Sequence, residues 1–228
     1  MHDEANVPKL TALSYLPLTA ICLWENLPQV LIGAFFFSLA CTPSFVLLVL
    51  GFPWLALLAG IGLAAPAWAS LLHYEGFLAQ GRVRSANILF SHFRLAWPDS
   101  VRLSAIAVAI LAPVFWLLAM DGSAAEPLHF LLWVPLIVSG LLILATIVLY
   151  AFPICAVFDT PLQVALRSGV ILSARNISNT LGLVAMAILA TLAVYYISLG
   201  LLFFLPAVFG LFVVNNCLLV VDSPECPK

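Results

Sequence analysis

The sequence predicts an all-α fold, a polytopic membrane bundle of six transmembrane helices with amphipathic helices at the cytoplasmic interface; five spans is the alternative count. Three observations carry this. Of 228 residues, 64% are hydrophobic and 8% charged, and mean hydropathy is +1.18. Soluble domains carry about 25% charged residues, so eight basic and ten acidic side chains cannot clothe a water-facing globule of this size. Two stretches, Asn26 to Leu72 and Thr180 to Val221, hold no charge at all. Each fits two crossings at about 20 residues per helical span. Finally, Lys and Arg gather in alternate loops, as cytoplasmic loops do.

Residues 1–26 form an N-terminal cytoplasmic or interfacial segment. Met1-His2-Asp3-Glu4 is acidic and lacks the basic start of a signal peptide, which predicts that it is retained. The apolar piece up to Trp24 is short and interrupted by Pro17, so it reads as a helix lying in the interface. Residues 27–72 form the first hairpin, with spans near 27–50 and 54–72 and a turn at Gly51-Phe52-Pro53. Residues 73–102 are a basic segment. Residues 103–158 are the second hairpin, with spans near 103–120 and 129–157 around the Asp121–Pro127 loop. Residues 159–179 are a second cytoplasmic helix, 180–221 hold the last two spans broken around Gly200 and Pro206, and 222–228 are a tail. No polar stretch is long enough for a separate soluble domain, so 1–228 is one membrane unit.

Lys9, Arg82, Arg84, Arg94, Arg102, Arg167 and Arg175 lie on one side of this threading, and the opposite loops hold no Lys or Arg. The N-terminus is therefore expected in the cytoplasm. Six spans would put the C-terminus there as well.

Both basic segments read as amphipathic helices. Ala86, Leu89, Phe90, Phe93, Ala96 and Trp97 share one helical face, with Ser91, His92 and Arg94 away from it and Pro98 as the terminator. In the second, Thr160 is expected at the N-cap and Pro161 at the first helical position, with Asp159 near the positive end of the dipole. Leu162, Ala165 and Leu166 then form a stripe. This order of helix, breaker and span occurs twice. A constant shift pairs Ser100 and Leu103 with Ser178 and Leu181, the outline of a parallel repeat.

The second basic segment carries a resemblance. Tyr150-Ala151-Phe152-Pro153-Ile154-Cys155-Ala156-Val157-Phe158-Asp159, then Pro161-Leu162, Ala165-Leu166-Arg167 and Asn176 before the next span, resemble the YesL family of small bacterial membrane proteins. Asn26-Leu27 and Ser38-Leu39 add to it. The Pro-and-Thr step after Ser38-Leu39, which reads Ala40-Cys41-Thr42-Pro43, departs from the family pattern. The resemblance implies a multi-pass protein of the bacterial plasma membrane, of largely unknown function and associated with carbohydrate uptake.

Motifs for chemistry are missing. There is no H-E-x-x-H, G-x-S-x-G or phosphate-binding glycine loop. Five cysteines without a C-x-x-C pair argue against a disulfide framework or zinc site. His73 and Glu75, two apart, point to different helix faces and read as an interfacial pair. Asn215 and Asn216 read as amides pairing between helices. No ionisable group is expected at mid-depth, which argues against a proton-coupled pump.

The expectation is a non-enzymatic protein without cofactor or metal, and with no basic field for nucleic acid at net charge −2. Its partner is the lipid bilayer, with a transporter component or a second copy beside it. Arg82, Arg84, Arg94, Arg167 and Arg175 are the expected contacts to a partner or to anionic headgroups, and Asp159, Thr160 and Asn176 organise the second inner helix. An accessory or assembly factor for carbohydrate transport is the first reading. A small carrier for a neutral solute is the second.

Overall fold

The structure is a computed structural model that describes residues 15–82, 85–120, 127–196, 198 and 200–221. The described residues form helices: α1 (Tyr15–Glu25), α2 (Leu27–Val49), α3 (Pro53–Ala59), α4 (Ala65–Ala79), α5 (Asn87–Met120), α6 (Pro127–Thr146), α7 (Phe152–Phe158), α8 (Leu162–Arg175), α9 (Ile177–Tyr196) and α10 (Leu201–Val221). Two π-helical turns, Gly60–Ala64 and Ile147–Ala151, join α3 to α4 and α6 to α7. Six of the resulting helices are long and apolar enough to cross a membrane. The turn between the first two is where the sequence puts it, with Gly51 at φ 82°, a conformation that suits glycine.

α4 and α10 form the centre of the bundle. Leu72 of α4 and Val213 and Cys217 of α10 pack with Leu103, Tyr150 and Leu183. On their other side, Leu71, Tyr74 and Leu211 pack with Val30 and Leu89. Large apolar side chains such as Phe35, Leu58, Leu181 and Leu189 point outward, a surface whose compatible solvent is hydrocarbon. Trp54, Tyr195 and Tyr196 are exposed at one end, where aromatic rings suit a headgroup boundary.

The π turns have a cause. Each directly precedes an α-segment with proline in its first turn, Pro66 in α4 and Pro153 in α7. Proline has no N–H to give the carbonyl four residues back. For Pro66 that carbonyl belongs to Gly62, and the indole Nε1 of Trp97 donates to it at 2.8 Å. A backbone group that would otherwise lack a donor is thus satisfied by a side chain of the neighbouring helix.

The two basic segments differ from their expected form. α5 runs through Pro98 without a break, so the first amphipathic stretch is the opening of a long helix packed along α4. Its buried stripe is Leu89, His92, Ser100 and Leu103, which places His92 inward and leaves Phe90 exposed. α8 begins at Leu162, with Pro161 in the capping position and no side-chain cap. Thr160 serves the preceding helix instead, its hydroxyl donating to the Ile154 carbonyl at 3.2 Å. Gly169 lets α8 lie against the backbone of Ala151, where a Cβ would meet Ala151 N at 3.3 Å.

Element order and burial spacing recur in the two halves of the chain, two residues off the sequence register. Each unit is an apolar helix with a π turn before proline, a break, and then a long helix or helix pair. Leu89, His92, Ser100 and Leu103 are buried in the first unit and Gly169, Leu172, Thr180 and Leu183 in the second, at identical spacings. The units differ at one joint: α5 is continuous, whereas α8 and α9 part at Asn176. There the Asn176 Nδ2 donates to the Leu172 carbonyl at 3.2 Å.

Trp97→Phe keeps the ring and removes the donor to Gly62. It is expected to lower unfolding free energy by about 1–3 kcal/mol, read by reversible denaturation in mixed micelles; an unchanged midpoint would mean that the Gly62 carbonyl does not depend on the indole.

Candidate functional site

A cluster of polar side chains and, near it, one buried acidic side chain lie toward the end of the bundle that carries the arginines. The cluster joins three elements. α7 ends at Phe158, and Asp159 follows in a left-handed conformation at φ 50°. Short polar residues tolerate that region best. The last four carbonyls of α7 have no helical donors; that of Ala156 is met by the Nδ1 of His73 on α4, and two residues earlier the Ile154 carbonyl accepts a further bond from Thr160. With Nδ1 as donor, the Nε2 of His73 keeps its lone pair.

The ring of His73 stacks on that of His92 from α5, centroids 3.7 Å apart and planes 8° apart. His92 Nε2 stands 3.9 Å from Asp159 Oδ1, beyond hydrogen-bond length. His92 is buried, and its Nδ1 has no hydrogen-bond partner among the described residues. Asp159 is exposed. A cavity of about 480 Å³ opens beside them, lined in part by His92, Asp99, Ser100, Cys155, Asp159 and Thr160.

The buried acid is a single carboxylate. Glu75 is fully buried, and neither oxygen has a hydrogen-bond partner among the described residues. It faces Gly210 of α10, where a methyl in place of the hydrogen would collide with Glu75 Oε2. The interfacial pairing of His73 and Glu75 is therefore overturned: α4 continues to Ala79, and its last two turns lie inside the protein. Glu75 also stands within the apolar helix Pro53–Ala79, about one turn from its end rather than at mid-depth. Burial pushes the Cys22 thiol of α1 up; its bond with Asn26 opposes this, and the Glu75 charge adds to it. A cavity of about 390 Å³ lies further along, lined by Cys22 and Leu18, by Ala79 one turn beyond Glu75, and by Asn215.

Arg82, Arg94, Arg167 and Arg175 are exposed, and Arg84 lies outside the described residues. Arg102 pairs with Asp99 at 3.2 Å. Asn179 Nδ2 donates to Asn216 Oδ1 at 3.0 Å, joining α9 to α10, while Asn215 donates to the Leu211 carbonyl of its own helix. The His73–His92–Asp159 cluster was not legible as a motif, because its members lie far apart in the chain. One signal was present: Leu89, His92, Ala96, Ser100 and Leu103 follow a three–four spacing, which puts a histidine on a core stripe.

Comparison with protein-family models, with curated proteins and with solved structures finds no match. The class rests on the molecule itself, an all-helical bundle with six helices long and apolar enough to span a bilayer.

Gly210→Ala is expected to destabilise the fold by about 1–3 kcal/mol through the collision with Glu75. Glu75→Ala in the same chain should recover most of that loss, a coupling of about 0.5–3 kcal/mol in a double-mutant cycle. Additive effects would separate the two residues.

Proposed function

We propose that the chain is a small carrier of the bacterial plasma membrane, non-enzymatic, moving a neutral solute together with a coupling cation held at Glu75. The observation behind this reading is the buried Glu75 carboxylate without a protein partner. A buried carboxyl without a partner is costly to keep, most of all when it is ionised, and ionisable groups inside spanning segments mark ion and substrate pathways. A cation that neutralises the carboxylate during part of a cycle would account for its retention. The two π turns and the repeated unit support the same reading, since π bulges frequent functional sites and carriers are often built from repeats with interrupted helices.

The arrangement across the membrane belongs to this proposal: arginine-bearing end and N-terminus in the cytoplasm, as the charge asymmetry argues. So does membership of the YesL family, which rests on the Phe152-Pro153 to Asn176 pattern. A second reading has its own observation. Arg82, Arg94, Arg167 and Arg175 are exposed and have no acidic partner among the described residues. They suit docking on a carbohydrate-transport component or on anionic headgroups, the accessory role.

Reconstitution separates the readings. Proteoliposomes loaded with a Na⁺-sensitive dye should show flux, stimulated by external sugar, that Glu75→Gln abolishes while the protein stays folded. Equal flux in wild type and variant would remove Glu75 from the cycle. No flux in either would leave the accessory role. Reporters fused after Arg82 and after Arg167 should both be active in the cytoplasm; periplasmic activity would reverse the orientation.

A further inference from the structure

The geometry points to a divalent transition-metal site formed by His73, His92 and Asp159, taking Zn²⁺ or a cation of similar preference. We infer this from four features of the cluster, none of which depends on Glu75 or on transport. First, one ligand atom from each residue lies within 4.8 Å of the other two. Tetrahedral zinc with bonds of about 2.0–2.2 Å places its donors about 3.3–3.6 Å apart, so a closer approach of about an ångström by the exposed Asp159 and its neighbours would bring the set into range. Second, the 3.9 Å between His92 Nε2 and Asp159 Oδ1 is too long for a hydrogen bond and within about half an ångström of the spacing of two donors on one ion.

Third, the histidines are prepared as ligands. His73 Nδ1 is committed to the Ala156 carbonyl, the outer-shell contact that fixes tautomer and ring direction in metal-binding histidines. Its Nε2 is left free to coordinate. His92 is buried, and its Nε2 stands 3.9 Å from Asp159 Oδ1. Fourth, the three residues come from separate elements: His73 from α4, His92 from α5 and Asp159 from the α7–α8 junction. An ion would tie these elements together. Two neutral imidazoles and one carboxylate leave a divalent ion with a net positive charge and an open coordination position. The cavity of about 480 Å³ beside His92 and Asp159 gives room for water or an anionic ligand there.

The test uses the full chain in lipid nanodiscs, stripped of metal and titrated with Zn²⁺ by calorimetry. Co²⁺ is added in parallel for its visible ligand-field bands. One Zn²⁺ per chain is expected, and Co²⁺ bands should appear that Zn²⁺ displaces. Asp159→Asn removes the anionic ligand at an exposed position and retains a residue that accepts the left-handed backbone. It should weaken Zn²⁺ binding by at least about tenfold and alter the Co²⁺ bands. His92→Gln should do the same, and Glu75→Gln and Arg167→Gln should leave binding unchanged. The site is overturned if the wild type shows no saturable binding, or if Asp159→Asn binds as tightly as wild type with the same Co²⁺ spectrum.

Discussion

In a solvent that offers no hydrogen bonds, every polar group must be answered by the protein itself. Most of this molecule follows from that constraint. The six apolar helices satisfy their own backbones, and where proline interrupts one, a neighbour supplies the donor, as Trp97 does for Gly62. Hydroxyls turn back onto their own helices, Ser70 to Pro66 and Thr191 to Ala187. Amides reach across them, as between Asn179 and Asn216. At the end of α7, His73 meets a carbonyl that the helix leaves open, and Thr160 adds a bond to the carbonyl of Ile154.

Against this background, the groups left unanswered stand out. Glu75 and the Nδ1 of His92 are buried without hydrogen-bond partners among the described residues, as are single atoms of Gln29, Ser44, Trp68 and Asn216. A carboxylate and an imidazole are among the most expensive side chains to leave so, and both are positioned with care. Gly210 makes room for Glu75, and the aligned ring of His73 backs His92. The two groups point away from each other, because His73 and Glu75 lie two residues apart on one helix. The proposed coupling ion at Glu75 and the proposed metal at His73 and His92 are separate demands on neighbouring positions of α4, and each can fail without the other.

The sequence made the helices legible because hydrocarbon imposes a length and a composition that few other environments do. The reversal at Gly51 and the break near Gly200 were readable for the same reason. Less was readable where local rules compete. Pro98 looks like a helix end, yet α5 passes through it, since proline removes only one donor and packing along α4 supports the remainder. Thr160 and Pro161 have the order of a helix start, but the left-handed Asp159 turns Thr160 back toward α7. His92 sits among polar neighbours on one reading of the helical wheel and on the Leu89–Leu103 core stripe on another. Only the partner surface of α4 decides between them. Glu75 could not be found from spacing at all, because its surroundings come from α10, more than half the chain away.

The account turns on whether position 75 is inside the protein or at the headgroup boundary. Cysteine accessibility settles this directly, in a chain whose Cys22, Cys41, Cys155, Cys217 and Cys226 have been replaced by alanine. A cysteine at Arg82 should react rapidly with a water-soluble maleimide in the native protein. One at Glu75 should stay unmodified until the protein is denatured. Equal rates at the two positions would place Glu75 in water and contradict the buried carboxylate on which the carrier reading stands.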